Sequence, residues 1–557
     1  MAAATAAAHV AVAKNADQFV ATEGEARLAA ATFAARGADF GAVTLPAADS
    51  FAVRQLAVVA TLMPTSGVPV VDGARYAALA LGFLSVVLLW PVLRLLGAGP
   101  VPSAVAAGLL GVVPPIVALH AGITAAAPAT VWLVLSGALI AMARRQVAAA
   151  AVAAGLAILT APLAGACLLA LAAHLVHARV MGVGLRDNVR APLSTGLGVA
   201  ALFVSAAAAG NGPLAGVGGP VVGIGTMVLV VGAGVVLAGF AWAQHPELRP
   251  ALTPLLLLLA VSAVPGASRS AALLLALPFL AVTFAVLAEP VAESVPEQRR
   301  PAVAALPLTA LALALVVGLL TAVNARPARP VSLAAWATSE LGPDAVVRAD
   351  PLDRAELVAG GVPAERLRDL DGPGRAGDLV MVTDRPTNGA VGRVVPQCVP
   401  ITTLASVPRG AGGSPTAVCS ATPIPPATVA AEQAGRARFG GALARNPALD
   451  LQPAAAAALE AGIVDPRLVL VLADLASPRR LAIADFPVAS FEPPYALRRR
   501  VLLTAVDGMP ASGDPQPLLR TWLSSQQAPF VPSSVEARGP ALLIAYPAPT
   551  PTGLLTG

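Results

Sequence analysis

The sequence predicts a mainly α-helical polytopic membrane protein of about ten spans with a C-terminal soluble α/β domain. Three observations lead there. The 557 residues are 57% hydrophobic and only 12% charged, with a mean hydropathy of +0.76, more apolar surface than one water-soluble core could hide. Runs long enough to cross about 30 Å of hydrocarbon begin at Tyr76 and stop near Val323. From Arg326 onward, charges, prolines and turn dipeptides appear between short strand-like runs.

Residues 1–75 read as a partial first helix followed by an extracytoplasmic acidic loop. The opening "MAAATAAAHVAVA" is apolar, too short to span, and lacks the basic start and cleavage site of a signal peptide. An outward-facing residue 15 needs a crossing before it, so the expectation is a first helix that begins upstream of Met1; a short helix on the membrane surface is the alternative. The stretch "NADQFVATEGEARLAAATFAARG" then gathers Asp17, Glu23 and Glu25 ahead of the first long apolar run.

Residues 76–325 read as the transmembrane bundle, with spans near 76–97, 101–119, 124–143, 147–160, 163–177, 194–210, 220–243, 250–264, 268–288 and 302–323. The run 147–177 is too long for one crossing and carries Pro162 at its middle, so it divides into two short helices joined by a turn. That division also lets Arg94, Arg144, Arg145, Arg179, Arg186, Arg190, Arg249, Arg299 and Arg300 all face the cytoplasm, as the positive-inside rule asks, with Arg269 a minor exception. The acidic loop and everything after Asn324 then lie outside the cytoplasm, in a multi-pass protein of the plasma membrane.

The extracytoplasmic part reads as two α/β lobes, 326–425 and 426–557, divided by a Pro/Gly/Ser-rich connection around 408–426. Strands are expected in "DAVVRAD", "DLVMVTD", "RLAIADF", "RVLLTAVDG" and "ALLIAY", and helices in "SLAAWATSEL", "AAAAALEAG" and "PLLRTWLSSQQ". The last of these places Leu518, Leu519, Trp522 and Leu523 on one stripe. "VDPR" reads as a helix start, with Asp465 as cap and Pro466 at the first position. Cys398 and Cys419 fall in this region and, in an oxidising compartment, could close a disulfide; two free thiols is the open alternative.

Several chemistries are excluded or disfavoured. There is no G-x-S-x-G, Walker loop or H-E-x-x-H, and the five histidines are scattered, His174 and His177 reading as a polar helix end rather than a metal site. The net charge of +5 is spread over short loops, where orientation in the bilayer explains it better than nucleic acid. Acids inside the spans are nearly absent, which disfavours ion-coupled transport. A composition rich in Ala, Gly and Pro and poor in Lys points to a GC-rich bacterial genome.

With those set aside, the acidic loop is the best remaining site. The loop, then "ARYAALALGFLSVVLLWPVLRLLGAG", "AAGLLGVVPPIVALHAG", a span ending in "ARR", and "AAGLAILTAP" with a returning short helix, resemble the GT-C-type membrane glycosyltransferases, which include protein mannosyltransferases and aminoarabinose transferases. The resemblance covers about residues 15–325. It implies a GT-C-like helix bundle and transfer of a sugar from a polyprenyl-phosphate carrier to an acceptor on the outer face, with an acid of the first outer loop as base. The family's Asp-Glu-Gly-like start falls on Thr22-Glu23-Gly24, so Glu23 is retained and the aspartate is replaced; Asp17 is the nearest substitute. The His-Pro-Pro stretch is absent, and the Arg and Asp found after the third span correspond to "HAGITAAAPA". No cofactor is implied with certainty, a divalent metal being compatible, and the partners are the bilayer and the lipid-linked donor. The soluble part resembles C-terminal extensions of actinobacterial GT-C-like proteins, for which it implies no catalytic residue. Two readings stay open at the acidic loop: Glu23 as base in an enzyme, or Thr22 and Glu25 as a capping box with solvated charge in a non-enzymatic scaffold or acceptor-binding protein on the same fold.

Overall fold

Helices make up the N-terminal part of the chain and two helix-flanked sheets the C-terminal part, in a computed structural model that describes residues 5–10, 23–37, 51–62, 70–142, 147–165, 224–244, 249–263, 269–294, 333–370, 378–383, 400–404, 416–420, 426–489, 492 and 496–555. The spans expected at 163–177, 194–210 and 302–323 lie wholly or almost wholly outside the described residues.

The helical part contains α1 (Glu23–Ala35), α2 (Phe51–Thr61), α3 (Val70–Leu95), α4 (Pro100–Val112), α5 (Pro114–Ala121), α6 (Ala126–Met142), α7 (Val147–Thr160), α8 (Ile224–Gln244), α9 (Arg249–Ala263) and α10 (Arg269–Ser294). Among the described residues, two helices are long and apolar enough to cross a membrane, Val70–Leu95 and Arg269–Glu289. The other apolar helical stretches that can be assessed are of 10–17 residues, so among the described residues ten full-length spans are not found. Proline explains part of the difference. The run expected as one span over 101–119 is broken at Val113, which is extended (φ −66°, ψ 117°) because it precedes Pro114. The same effect ends α7 at Thr160, with Ala161 outside the helix before Pro162 and helix resuming over 162–165, as the division of that run requires.

A core of Val86, Leu89, Leu93, Leu110, Leu255 and Leu274 joins α3, α4, α9 and α10, and close approach replaces bulk where helices meet. A side chain at Gly82 would run into the His120 ring at 2.6 Å, so glycine there lets α5 lie on α3. At one end of α3, Gly99 N donates to Glu289 Oε2 at 2.5 Å, so α10 supplies the acceptor that the glycine start of α4 lacks. Arg94 closes the same end on Ala98 O.

The first α/β lobe holds α11 (Leu333–Glu340), α12 (Pro351–Ala359) and a sheet of order β2-β1-β3-β5-β4. Its strands are β1 (Val347–Ala349), β2 (Leu367–Asp369), β3 (Leu379–Thr383), β4 (Pro400–Leu404) and β5 (Thr416–Ser420), with β1 parallel to β2 and β3 and the rest antiparallel. β5 lies inside the stretch read as a connection, so the described break between lobes is shorter, between Ser420 and Pro426.

The second lobe has α13 (Pro426–Ala444), α14 (Pro453–Glu460), α15 (Pro466–Ala476) and α16 (Pro515–Ser524). Its sheet runs β10-β11-β8-β7-β6, built from β6 (Leu449–Leu451), β7 (Leu481–Asp485), β8 (Arg500–Val506), β10 (Ser534–Arg538) and β11 (Ala541–Ala545), while β9 (Met509–Pro510) pairs with β8. Asp507 and Gly508 turn β8 into β9 with φ of +53° and +80°, the two positive angles a tight hairpin turn needs. On α16, Leu519 and Leu523 are buried but Leu518 is 63% exposed, so the stripe is narrower than the sequence suggested. The lobes are joined where Glu340, Trp336, Glu492, Arg499 and Arg500 meet: Arg499 donates to Glu340 at 2.9 Å and to Glu492 at 2.7 and 3.2 Å, and Trp336 Nε1 to Glu492 at 3.0 Å. Arg500 pairs with Glu340 as well.

Candidate functional site

The acidic segment becomes α1, which opens at Glu23, one residue after the expected cap Thr22. Thr22 and Asp17 lie outside the described residues, and Glu23 is placed by its backbone as the first residue of the helix. Its neighbour Glu25 departs from expectation. Rather than a solvated charge, Glu25 is 1% exposed, because α1 is alanine-rich and lies flat between α3 and α12. One of its oxygens accepts from Ile123 N at 3.2 Å, and the other stands 4.0 Å from Arg75.

Arg75 belongs to the first turns of α3, where Asp72 lies one turn earlier at 3.7 Å from the same guanidinium. All three side chains are buried. Sequence reading placed Asp72 and Arg75 in a loop before a span starting at Tyr76. The signal was available: an acid in the first helical turn with a base three residues on is a helix start, and it moves the beginning of α3 back to Val70.

Three further elements converge on this end. The link from α5 to α6, within "HAGITAAAPA", meets the acidic segment through the Ile123 backbone N–H rather than through an Arg or Asp side chain. α2 is tied to α6 and α7 by Gln55, which accepts from Trp132 Nε1 at 2.6 Å and donates to Thr160 Oγ1 at 2.8 Å. From the first α/β lobe, α12 packs Leu352 and Ala355 into the cluster formed by α1 and α3, and Glu356 accepts from Val70 N at 2.8 Å, capping α3 from another domain. Residues 23–35 and the first lobe therefore share the Val70 end of α3, and Arg94 lies near the other, about 36 Å away at 1.5 Å per residue.

Chemically, the site is a buried cation between two carboxylates, roofed by α12, at the end of a helix bundle. Among the described residues no group of three or more His, Cys, Asp or Glu side chains could hold a metal ion. His120 stacks on His9 with Nδ1 and Nε2 3.2 Å apart, inside the helical part and on other residues than the acidic cluster. His174 and His177 lie outside the described residues.

In the second lobe Asp465 caps α15 as expected, accepting from Arg467 N at 2.8 Å with Pro466 at the first position. Its carboxylate also holds the Arg467 guanidinium at 2.7 and 3.0 Å and the Thr550 hydroxyl at 2.7 Å, which makes it a packing device with its lone pairs in use. Tyr546 lies under Arg467, and burial pushes its phenol above the ordinary range. Cys419, in β5, is buried and disulfide-bonded. The strand register sets Pro400 opposite Cys419, two residues after Cys398, which itself lies outside the described residues. No family model matches the chain, and no curated protein matches it.

Proposed function

We propose that the chain is a cell-envelope glycosyltransferase of the GT-C type, embedded in the plasma membrane, that moves a sugar from a polyprenyl-phosphate carrier to an acceptor on the outer face. The observation that carries this reading is the anchoring of the acidic segment: Glu25 is buried against Arg75 and Ile123, which fixes the first turn of α1, and with it Glu23, at the end of the bundle under the α/β lobe. In the reaction, Glu23, with Asp17 as the second acid, takes the proton of an acceptor hydroxyl as that oxygen attacks the anomeric carbon. The bond from that carbon to the carrier phosphate breaks, and polyprenyl phosphate leaves. Glu25 holds the segment rather than reacting.

Membrane embedding is supported by the apolar side chains the helices leave uncovered, among them Leu84, Trp90, Val236, Phe240 and Leu257. It predicts that Asp514→Cys, at an exposed position of the second lobe, reacts with an impermeant thiol reagent in intact spheroplasts. Labelling only after lysis would reject an outer lobe.

The function is tested by deleting the gene and comparing envelope glycans. A change restored by the wild type and not by Glu23→Gln, with equal protein in the membrane, supports transfer; restoration by both rejects Glu23 as base. The second reading, a non-enzymatic scaffold, is favoured by the same burial of Glu25, since a carboxylate paired under a docked helix is also how a structural joint is made. Unchanged glycans across growth conditions would select it.

A further inference from the structure

Arg354 in α12 stands apart from the other buried cations. Its side chain is 1% exposed, none of its three guanidinium nitrogens has a hydrogen-bond partner, and Asp369 Oδ1 lies 3.7 Å away. A guanidinium carries five N–H donors, and interior donors left unmade are among the costliest features a fold can keep. An apolar side chain of similar length would fill the same space without that cost. Burial also pulls this guanidinium below the ordinary arginine range, against the opposing pull of Asp369 and Asp350.

The position of Arg354 says what could complete it. β1 runs directly into α12, and β2 and β3 flank β1 on opposite sides, so the chain crosses from β1 to β2 in one direction and β3 is added in the other. Open α/β sheets take ligands outside the carboxyl ends of their strands at such a reversal. Asp369 is the last residue of β2 and is 51% exposed, so the Arg354 guanidinium lies at that edge but stays buried behind this one carboxylate. The backbone N–H groups of the helix start are already in use, since Asp350 accepts from Leu352 N and Asp353 N. Arg348 adds a second cation, its guanidinium donating to Asp369 O at 2.9 and 3.2 Å and to Leu370 O at 3.0 Å.

We propose that Arg354 anchors a binding site for the phosphate group of a small phosphate ester at the carboxyl edge of the first sheet, with Asp369 accepting a hydroxyl of the same ligand. A planar fork of N–H donors matches two phosphate oxygens at once, and a half-exposed carboxylate beside it suits a sugar hydroxyl. The site is separate from the Glu25–Arg75–Asp72 cluster and stands whether or not the bundle transfers sugar.

The test is thermal unfolding of the purified full-length chain with glucose 1-phosphate, with inorganic phosphate and with glucose. A ligand that binds only the folded chain raises Tm in a saturable way. The expected result is a saturable rise with glucose 1-phosphate, a smaller one with inorganic phosphate and none with glucose. Arg354→Met is expected to unfold at or above the wild-type Tm without ligand and to lose the rise; Arg354→Lys keeps the charge without the fork and should lose most of it. Asp369→Ala, which removes the acceptor, should bring the two phosphates to the same response. No rise in the wild type with either phosphate at millimolar concentration overturns the proposal, as does an Arg354→Met chain of lowered Tm whose response to glucose 1-phosphate is intact.

Discussion

Two arginines in this protein each stand between two buried carboxylates, and they are held differently. Arg499 reaches Glu340 at 2.9 Å and Glu492 at 2.7 Å, within hydrogen-bond distance of both. Arg75 stands 4.0 Å from Glu25 and 3.7 Å from Asp72. Coulomb attraction falls slowly over that difference, whereas a directional hydrogen bond is lost. The tight triad fixes the angle between two lobes and carries the Trp336 indole with it. The looser one brings charges together at the end of a bundle without locking their orientation through those two pairs. Burial of a charge by itself therefore does not separate a joint from a site; the geometry of its partners does.

The comparison is tested most severely at the joint. Among the described residues, Arg499→Leu leaves the Glu492 carboxylate with the Trp336 N–H alone, and it is expected to cost about 3–5 kcal/mol, read as a fall in the denaturant midpoint of the full chain. A loss below about 1 kcal/mol would make the tight triad no more structural than a surface pair. Next in size is the disulfide of Cys419. We propose Cys398 as its partner, and closing the loop between them is worth about 3 kcal/mol. Non-reducing peptide mapping should recover the two cysteines in one linked species; a Cys167 link would overturn the pairing.

Glu25→Gln sharpens the other half of the comparison. Its amide oxygen can still accept from Ile123 N, so the change removes the charge facing Arg75 and is expected to cost about 1–3 kcal/mol. A capping residue in water would lose a few tenths to about 1 kcal/mol. Equal urea midpoints for the variant and the wild type would return Glu25 to the surface. The smallest effect belongs to Tyr546→Phe. The Tyr546 hydroxyl is buried with no hydrogen-bond partner, so its removal should change stability by less than about 1 kcal/mol at neutral pH, toward greater stability. Because burial raises its pKa in the folded chain, the wild type should lose stability as pH climbs past about 10, where the unfolded phenol ionises, and the variant should lose less. Parallel decline in both would remove Tyr546 as the cause.

Legibility in the sequence followed the range of the interaction. Strands β1, β3, β7, β8 and β11 and helices α11, α14 and α16 were expected, since each carries its own apolar run bounded by turn residues. The cap at Asp465 was legible for the same reason: Asp-Pro-Arg states a helix start within three residues. β2, β6 and β10 were not foreseen, because "LRD", "LDL" and "SVEAR" are short, charged, and strands only through their neighbours. Span length was overestimated where Val113 precedes Pro114 inside a run that is otherwise continuous hydrocarbon, whereas the break before Pro162 was expected and falls at Thr160. At the site, the acidic segment was located, but its buried member was assigned to solvent. Nothing local to Glu25 announces Arg75, Ile123 or α12, which lie 50, 98 and more than 300 residues away in sequence.

The cap that Glu356 places on Val70 has a consequence for biosynthesis. The two residues are 286 positions apart. At about 5–20 residues per second, α3 leaves the ribosome roughly 15–60 s before the carboxylate that completes its first turn has been made. During that interval the open end of α3, with Arg75 and Asp72 on it, depends on whatever receives the nascent chain. Translation order thus leaves the helix bundle waiting at one end, and the arrival of α12 is the event that closes it.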